Sequence, residues 1–226
     1  LATCSADLGR SLGLDALLRS RGRYAPSSDA LPWPAIVGWA TLCGFVYGAV
    51  MGAYDGRPAQ AFYSGAKVPL LLAVTTLVCL PNFFVLNTVL GLRDDFAAAC
   101  RAVFVAQATM AATLASLAPV TATFYAVGLR YSTAVVVNGC VFLIGALAAQ
   151  TALAKHYAPL VAKDPRHKAA LRAWIALYVF VGIQAAWVLR PYVGAPMMRT
   201  DFFRRNAWSN AYVVIVDDVV RLFTGR

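Results

Sequence analysis

The sequence contains no glutamate: all ten acidic residues are aspartate, and charged residues of either sign make up only 13% of the 226 positions. A water-soluble domain carries about 25% charge, so an ordinary soluble fold is excluded. The charge that remains sits in short clusters between long uncharged runs. A soluble core would instead alternate apolar and polar residues at helix or strand period. Histidine is scarce as well. Only His156 and His167 occur, and neither they nor any aspartate falls in the central part of an apolar run. Proton-coupled carriers place ionisable groups there, so one is not expected, nor is a haem or chlorophyll held by an intramembrane histidine.

Other absences narrow the chemistry further. The five cysteines, at 4, 43, 79, 100 and 140, form no CxxC pair, and three lie inside apolar runs. They read as small apolar residues rather than as a disulfide framework or zinc site. No Walker loop, GxSxG or HExxH motif occurs. A metal site of His156, Asp164 and His167 is opposed by the neighbouring cations Lys155, Lys163, Arg166 and Lys168. The connections between apolar runs are too short for a soluble catalytic domain. No catalytic residue, cofactor or metal ligand is therefore assigned, and no enzymatic activity is expected.

What is present is apolar length. The chain is 60% hydrophobic with a mean hydropathy of +0.64. Five runs stand out, at about 31–54, 68–92, 102–129, 131–154 and 173–193. A hydrocarbon core of about 30 Å needs about 20 helical residues, and each run supplies them. Open sheets would leave backbone groups unpaired in lipid, and the alternation of a membrane β-barrel is missing. The expected fold is all-α: a polytopic transmembrane helical bundle of about five spans over 31–194. Pro81, inside the second run, is expected to kink that helix.

Amphipathic surface helices are expected at both termini. Residues 1–30 are basic, with Leu8, Leu12, Ala16 and Leu17 at helical spacing. Residues 195–226 carry Arg205, Ser209, Asp217 and Arg221 on one polar stripe.

The net charge of +10 suits either nucleic acid or anionic lipid as partner. The basic residues flank apolar runs, which favours lipid and excludes nucleic acid. Counted by side, eleven Lys and Arg precede the first run or lie in the second-to-third and fourth-to-fifth connections, against three in the opposite loops. The N-terminus is thereby expected in the cytoplasm. The basic C-terminal tail then falls outside, against the rule, unless one run is re-entrant.

Three residue sets are singled out. Ala40, Gly44, Gly48 and Gly52 repeat a small residue every four positions, a face that lets a second helix approach closely. The second helix is either in the same chain or in a partner subunit. Thr75, Cys79 and Asn82 share a helical face beside Pro81, with Lys67 two turns earlier. Polar side chains with a freed carbonyl can bind an ion or solute, or simply hydrogen-bond between helices. Lys155, Lys163, Arg166, Lys168 and Arg172 crowd the fourth-to-fifth connection, where they can anchor on lipid headgroups or dock an acidic partner.

Three stretches carry a resemblance. They are Lys67-Val68-Pro69-Leu70-Leu71-Leu72, Leu80-Pro81-Asn82-Phe83-Phe84-Val85-Leu86-Asn87 and Trp187-Val188-Leu189-Arg190-Pro191-Tyr192-Val193-Gly194. Together with Phe202–Tyr212 they resemble segments of uncharacterised bacterial multi-span membrane proteins. The five-span plan with a cytoplasmic N-terminal segment also resembles the layout of Yip1-type membrane proteins. The resemblance implies a bacterial inner-membrane location and no particular activity. The functional expectation is a non-catalytic subunit with a structural role in a larger membrane assembly, its partners being lipids and other membrane subunits. The alternative is a small-solute or ion carrier or channel built on the kinked second span.

Overall fold

The computed structural model describes residues 14–19, 24–25, 32–190, 192–194, 199–203 and 211–213. Within these the fold is all-α: a short α1 (Leu14–Leu18), then α2 (Trp33–Gly52), α3 (Pro58–Val89), α4 (Phe96–Ala126), α5 (Tyr131–Lys163) and α6 (His167–Leu189). The last five are each long and apolar enough to cross a membrane. The chain is a polytopic helical membrane protein.

Sequence chemistry sets the helix ends. Pro34 and Pro58 stand in the first turns of α2 and α3, where no backbone donor is needed. The α2–α3 connection turns on Asp55 and Gly56, both with φ of 65°, a region that aspartate tolerates better than most residues. Gly128, with φ of 81°, follows α4, and Arg130 returns to extended backbone before α5.

Several boundaries differ from the sequence reading. α3 begins at Pro58 rather than 68, α5 continues through Pro159 to Lys163 rather than stopping at 154, and α6 begins at His167 rather than 173. Hydropathy marks only the stretch that lipid tails must cover. With 32 residues in α3 and 33 in α5, each helix spans about 48 Å, so its ends reach past the hydrocarbon into the headgroup layer. The expected basic loop between spans four and five is therefore almost wholly helical, and only residues 164–166 turn. α3 also stays helical through Pro69 and Pro81.

α2 packs along both α3 and α4, α4 packs on α5, and α6 leans on α3; α5 and α6 barely touch. Two cores result. At one end Phe83, Val103, Leu153, Tyr157 and Trp174 bring α3, α4, α5 and α6 together, with the Phe83 and Trp174 rings 4.8 Å apart. Towards the other end Tyr47, Met51, Val68, Leu114 and Val141 join α2 through α5. Large apolar side chains such as Leu77, Val136, Leu143 and Phe180 face outward, as lipid-facing residues do.

The N-terminal helix does not merely lie on a surface. Ala16, Leu17 and Tyr24 are buried against Ile36, Val105 and Ala108, which adds α1 to the bundle. At the C-terminal side, the Ala211 N–H donates to Gln184 Oε1 at 2.9 Å. The stripe of Arg205, Ser209, Asp217 and Arg221 lies outside the described residues, as do Leu8 and Leu12.

Candidate functional site

The chemistry-bearing side chains gather at the end of the bundle where two turns meet. The first turn closes α3. Its N–H groups of Gly91 and Leu92 donate to the carbonyls of Thr88 and Asn87 at 3.0 and 2.7 Å. This is the paired bonding of a Schellman cap, with Gly91 at φ 73° and Leu92 buried. The cap leads into a 3₁₀ turn at Arg93–Asp95.

The second turn joins α5 to α6. Asp164 Oδ1 accepts the Arg166 backbone N–H at 2.8 Å, an Asx-type turn that suits Asp followed by Pro165. The Arg166 guanidinium folds back onto the same carboxylate at 2.7 Å and holds its pKa below the ordinary carboxylate value.

Three contacts clamp the turns together. Lys163 Nζ meets Asp95 Oδ1 at 2.6 Å. His167 Nε2 lies 3.2 Å from Asp95 Oδ2. Arg166 Nη1 donates to the Leu90 carbonyl at 2.9 Å, passing so close to Gly91 that a Cβ there would sit 3.1 Å from it. Gly91 thus serves both the cap and the arginine's passage.

His167 is wholly buried, unlike the exposed Lys163. Its ring meets Tyr157 edge-on at 5.7 Å. Among the described residues, the Tyr157 hydroxyl and His167 Nδ1 have no hydrogen-bond partner. Asp95 thereby orients the buried imidazole.

Of the basic residues singled out from sequence, Lys155, Lys163, Arg166, Lys168 and Arg172 are all exposed at this end. Lys163 and Arg166 are engaged by aspartates, leaving Lys155, Lys168 and Arg172 to set the outward charge. Asp95 was not foreseen as a partner. The one signal for it is that Asp94-Asp95 is the acidic pair in a connection on the same side as the basic cluster. His156 is buried on α5. Among the described residues, no group of three or more His, Cys, Asp or Glu is placed to hold a metal ion.

The glycine face meets α3 of the same chain. A Cβ on Gly44 would touch Pro69 at 3.4 Å, one on Gly48 would lie 2.3 Å from the Ser64 carbonyl oxygen, and one on Gly52 would lie 2.5 Å from that of Gln60. Ala40, one turn earlier, is half-buried. Gly52 also faces the point where Gln60 and Ser64 both donate to the Tyr192 carbonyl, tying the segment after α6 to α3.

The polar set on α3 is not brought together. Thr75 and Cys79 are buried, whereas Asn82 is exposed and donates to the Val78 carbonyl at 3.3 Å. Lys67 is wholly buried, its Nζ 5.0 Å from the centre of the Phe202 ring. The stronger polar network lies elsewhere. Tyr47 donates to Asn138 Oδ1 at 2.8 Å, and Asn138 Nδ2 reaches the Tyr125 hydroxyl and the Ala134 carbonyl, both at 2.7 Å. Tyr125 in turn donates to the Met51 carbonyl at 3.1 Å. One amide thereby joins α2, α4 and α5.

Comparison of the chain with protein-family models, with curated proteins and with solved structures found no significant match.

Proposed function

We propose that this chain is a non-catalytic subunit of a larger membrane protein assembly, held in a bacterial cytoplasmic membrane with its N-terminal segment on the cytoplasmic side. One observation carries the reading. Only 11% of the most apolar stretch of α6 is buried within the chain, against 56% for α4. Val179, Phe180 and Ile183 are exposed, Phe180 with Tyr212 stacked on its ring at 4.7 Å, on a helix whose main neighbour among the long helices is α3. In lipid, helices associate through close packing rather than water expulsion, and a neighbouring subunit's helix gains such packing on this face. The exposed cations Lys155, Lys168 and Arg172 support the orientation, because basic residues collect on the cytoplasmic side next to anionic headgroups.

The test is a photocrosslinking residue at Phe180, activated in native membranes and compared with one at Val136 on α5. A discrete protein adduct from Phe180 that co-migrates with a high-mass complex on a native gel is expected. Adducts with lipid alone would overturn the subunit reading. For orientation, a cysteine at Asp55 is expected to react with an impermeant reagent in intact cells, and one at Lys168 only after permeabilisation.

A further inference from the structure

A lateral cleft of about 190 Å³ opens between α2, α3 and α4. Its walls are mostly apolar, including Ile36, Ala40, Leu72 and Phe104, and Thr41, Thr76 and Gln107 also line it. Ala73 lies at the middle of α3, and Gln107 lies one helical turn from the middle of α4. One turn is about 5–6 Å, so the cleft sits well inside a hydrocarbon core whose edges are about 15 Å from the centre.

Gln107 is the anomaly. It is 9% exposed. Its Oε1 accepts the Tyr178 hydroxyl at 2.8 Å, and among the described residues that is the side chain's one hydrogen bond. Among the described residues the amide nitrogen, with two donors, has no acceptor in a medium that holds no water. An unpaired donor in such a place is costly, and an acceptor brought by a ligand removes that cost.

The depth restricts which acceptor can come. Phospholipid ester carbonyls stay at the edge of the hydrocarbon and cannot reach one turn from its centre. A neutral ring bearing carbonyl oxygens on an apolar tail moves freely at that depth. We propose that the cleft binds the head ring of a lipid-soluble quinone, with one ring carbonyl accepting from Gln107 Nε2 and the ring lying against Phe104. The small volume fits a single substituted ring, and the opening towards lipid leaves the tail in the bilayer.

Decylubiquinone titrated into the purified chain in phosphatidylcholine nanodiscs tests this, read by quenching of tryptophan fluorescence. Trp33 stacks edge-on against Phe104 at 5.3 Å and so reports on the cleft. Saturable quenching is expected in the wild type. Gln107→Leu should weaken it at least tenfold, and so should Ala73→Phe, which fills the cleft from an exposed position. Tyr178→Phe removes the same internal hydrogen bond as Gln107→Leu but leaves the amide in place, so it should bind as the wild type does. Quenching that only rises linearly with quinone would overturn the proposal. So would equal affinity in wild type and Ala73→Phe. A co-purifying phospholipid released by Ala73→Phe and retained by Gln107→Leu, without saturable quinone quenching, would assign the cleft to an acyl chain instead.

Discussion

Gly48 and Ser64 lie so close across the α2–α3 contact that a Cβ on the glycine would stand 2.3 Å from the serine's carbonyl oxygen. The clash is with backbone, which cannot rotate away. Gly48→Ala should therefore force the helices apart and lower stability by about 1–3 kcal/mol, the usual range for overpacking. Gly44→Ala, where the new contact is 3.4 Å, should be tolerated. Gly38→Ala, with nothing within 4 Å, should be neutral or slightly stabilising through helix propensity. Unfolding in mild detergent would rank the three, and equal loss in all of them would refute the close-contact account.

Asn138 links three helices, and its loss leaves the Tyr47 hydroxyl to re-pair while Tyr125 keeps the Met51 carbonyl. Single interhelical hydrogen bonds in membranes average about 0.6 kcal/mol and reach about 1.7. A double-mutant cycle of Tyr47→Phe with Asn138→Ala should give a coupling within that range. A coupling of zero would mean that the 2.8 Å contact adds nothing to stability.

Asp95 holds two side chains of different burial. Lys163 is exposed, so Lys163→Met should change stability little, as surface pairs do. Asp95→Leu also strips the wholly buried His167 of its partner, which adds about 1–3 kcal/mol for an unsatisfied buried polar group. Equal effects of the two substitutions would show that the His167 contact is inconsequential.

The Asp164 carboxyl should titrate below its ordinary 3.8 because of the Arg166 guanidinium. A carboxyl more acidic in the folded than in the unfolded chain adds stability above the unfolded value. That gain is lost as pH falls through the folded value. Carbon-detected NMR of labelled Asp164 should show the depressed titration, and Arg166→Met should return it towards 3.8. An unchanged titration in that variant would assign the shift elsewhere.

Gly91→Ala should be costly for two separate reasons, a left-handed backbone and contact with Arg166. The backbone component alone is about 1–2 kcal/mol. In an Arg166→Met background the penalty should shrink to the backbone part. An identical penalty in both backgrounds would show that the arginine's passage over Gly91 is unimportant.

The five crossing helices were legible because their existence depends only on local quantities. A run of uncharged residues favours hydrocarbon, and coiling satisfies its peptide groups wherever its neighbours are. Helix ends were legible only in part. Gln60, Ser64, His156 and His167 are polar enough to end a hydropathy run, yet they lie within helices because the helix outlasts the lipid.

The amino-acid sequence alone determined an all-helical chain that crosses the bilayer several times, with a small-residue face on α2 and a basic end. It could not determine which neighbour covers that face, because these spans are apolar all round and lipid tails are as apolar as a protein core. Only the tertiary structure set Gly48 against Ser64, turned Asn82 outward, and left the Gln107 amide facing a cleft. It also joined Asp95 to Lys163 and His167, 68 and 72 residues away, since a contact between two turns depends on how whole helices pack.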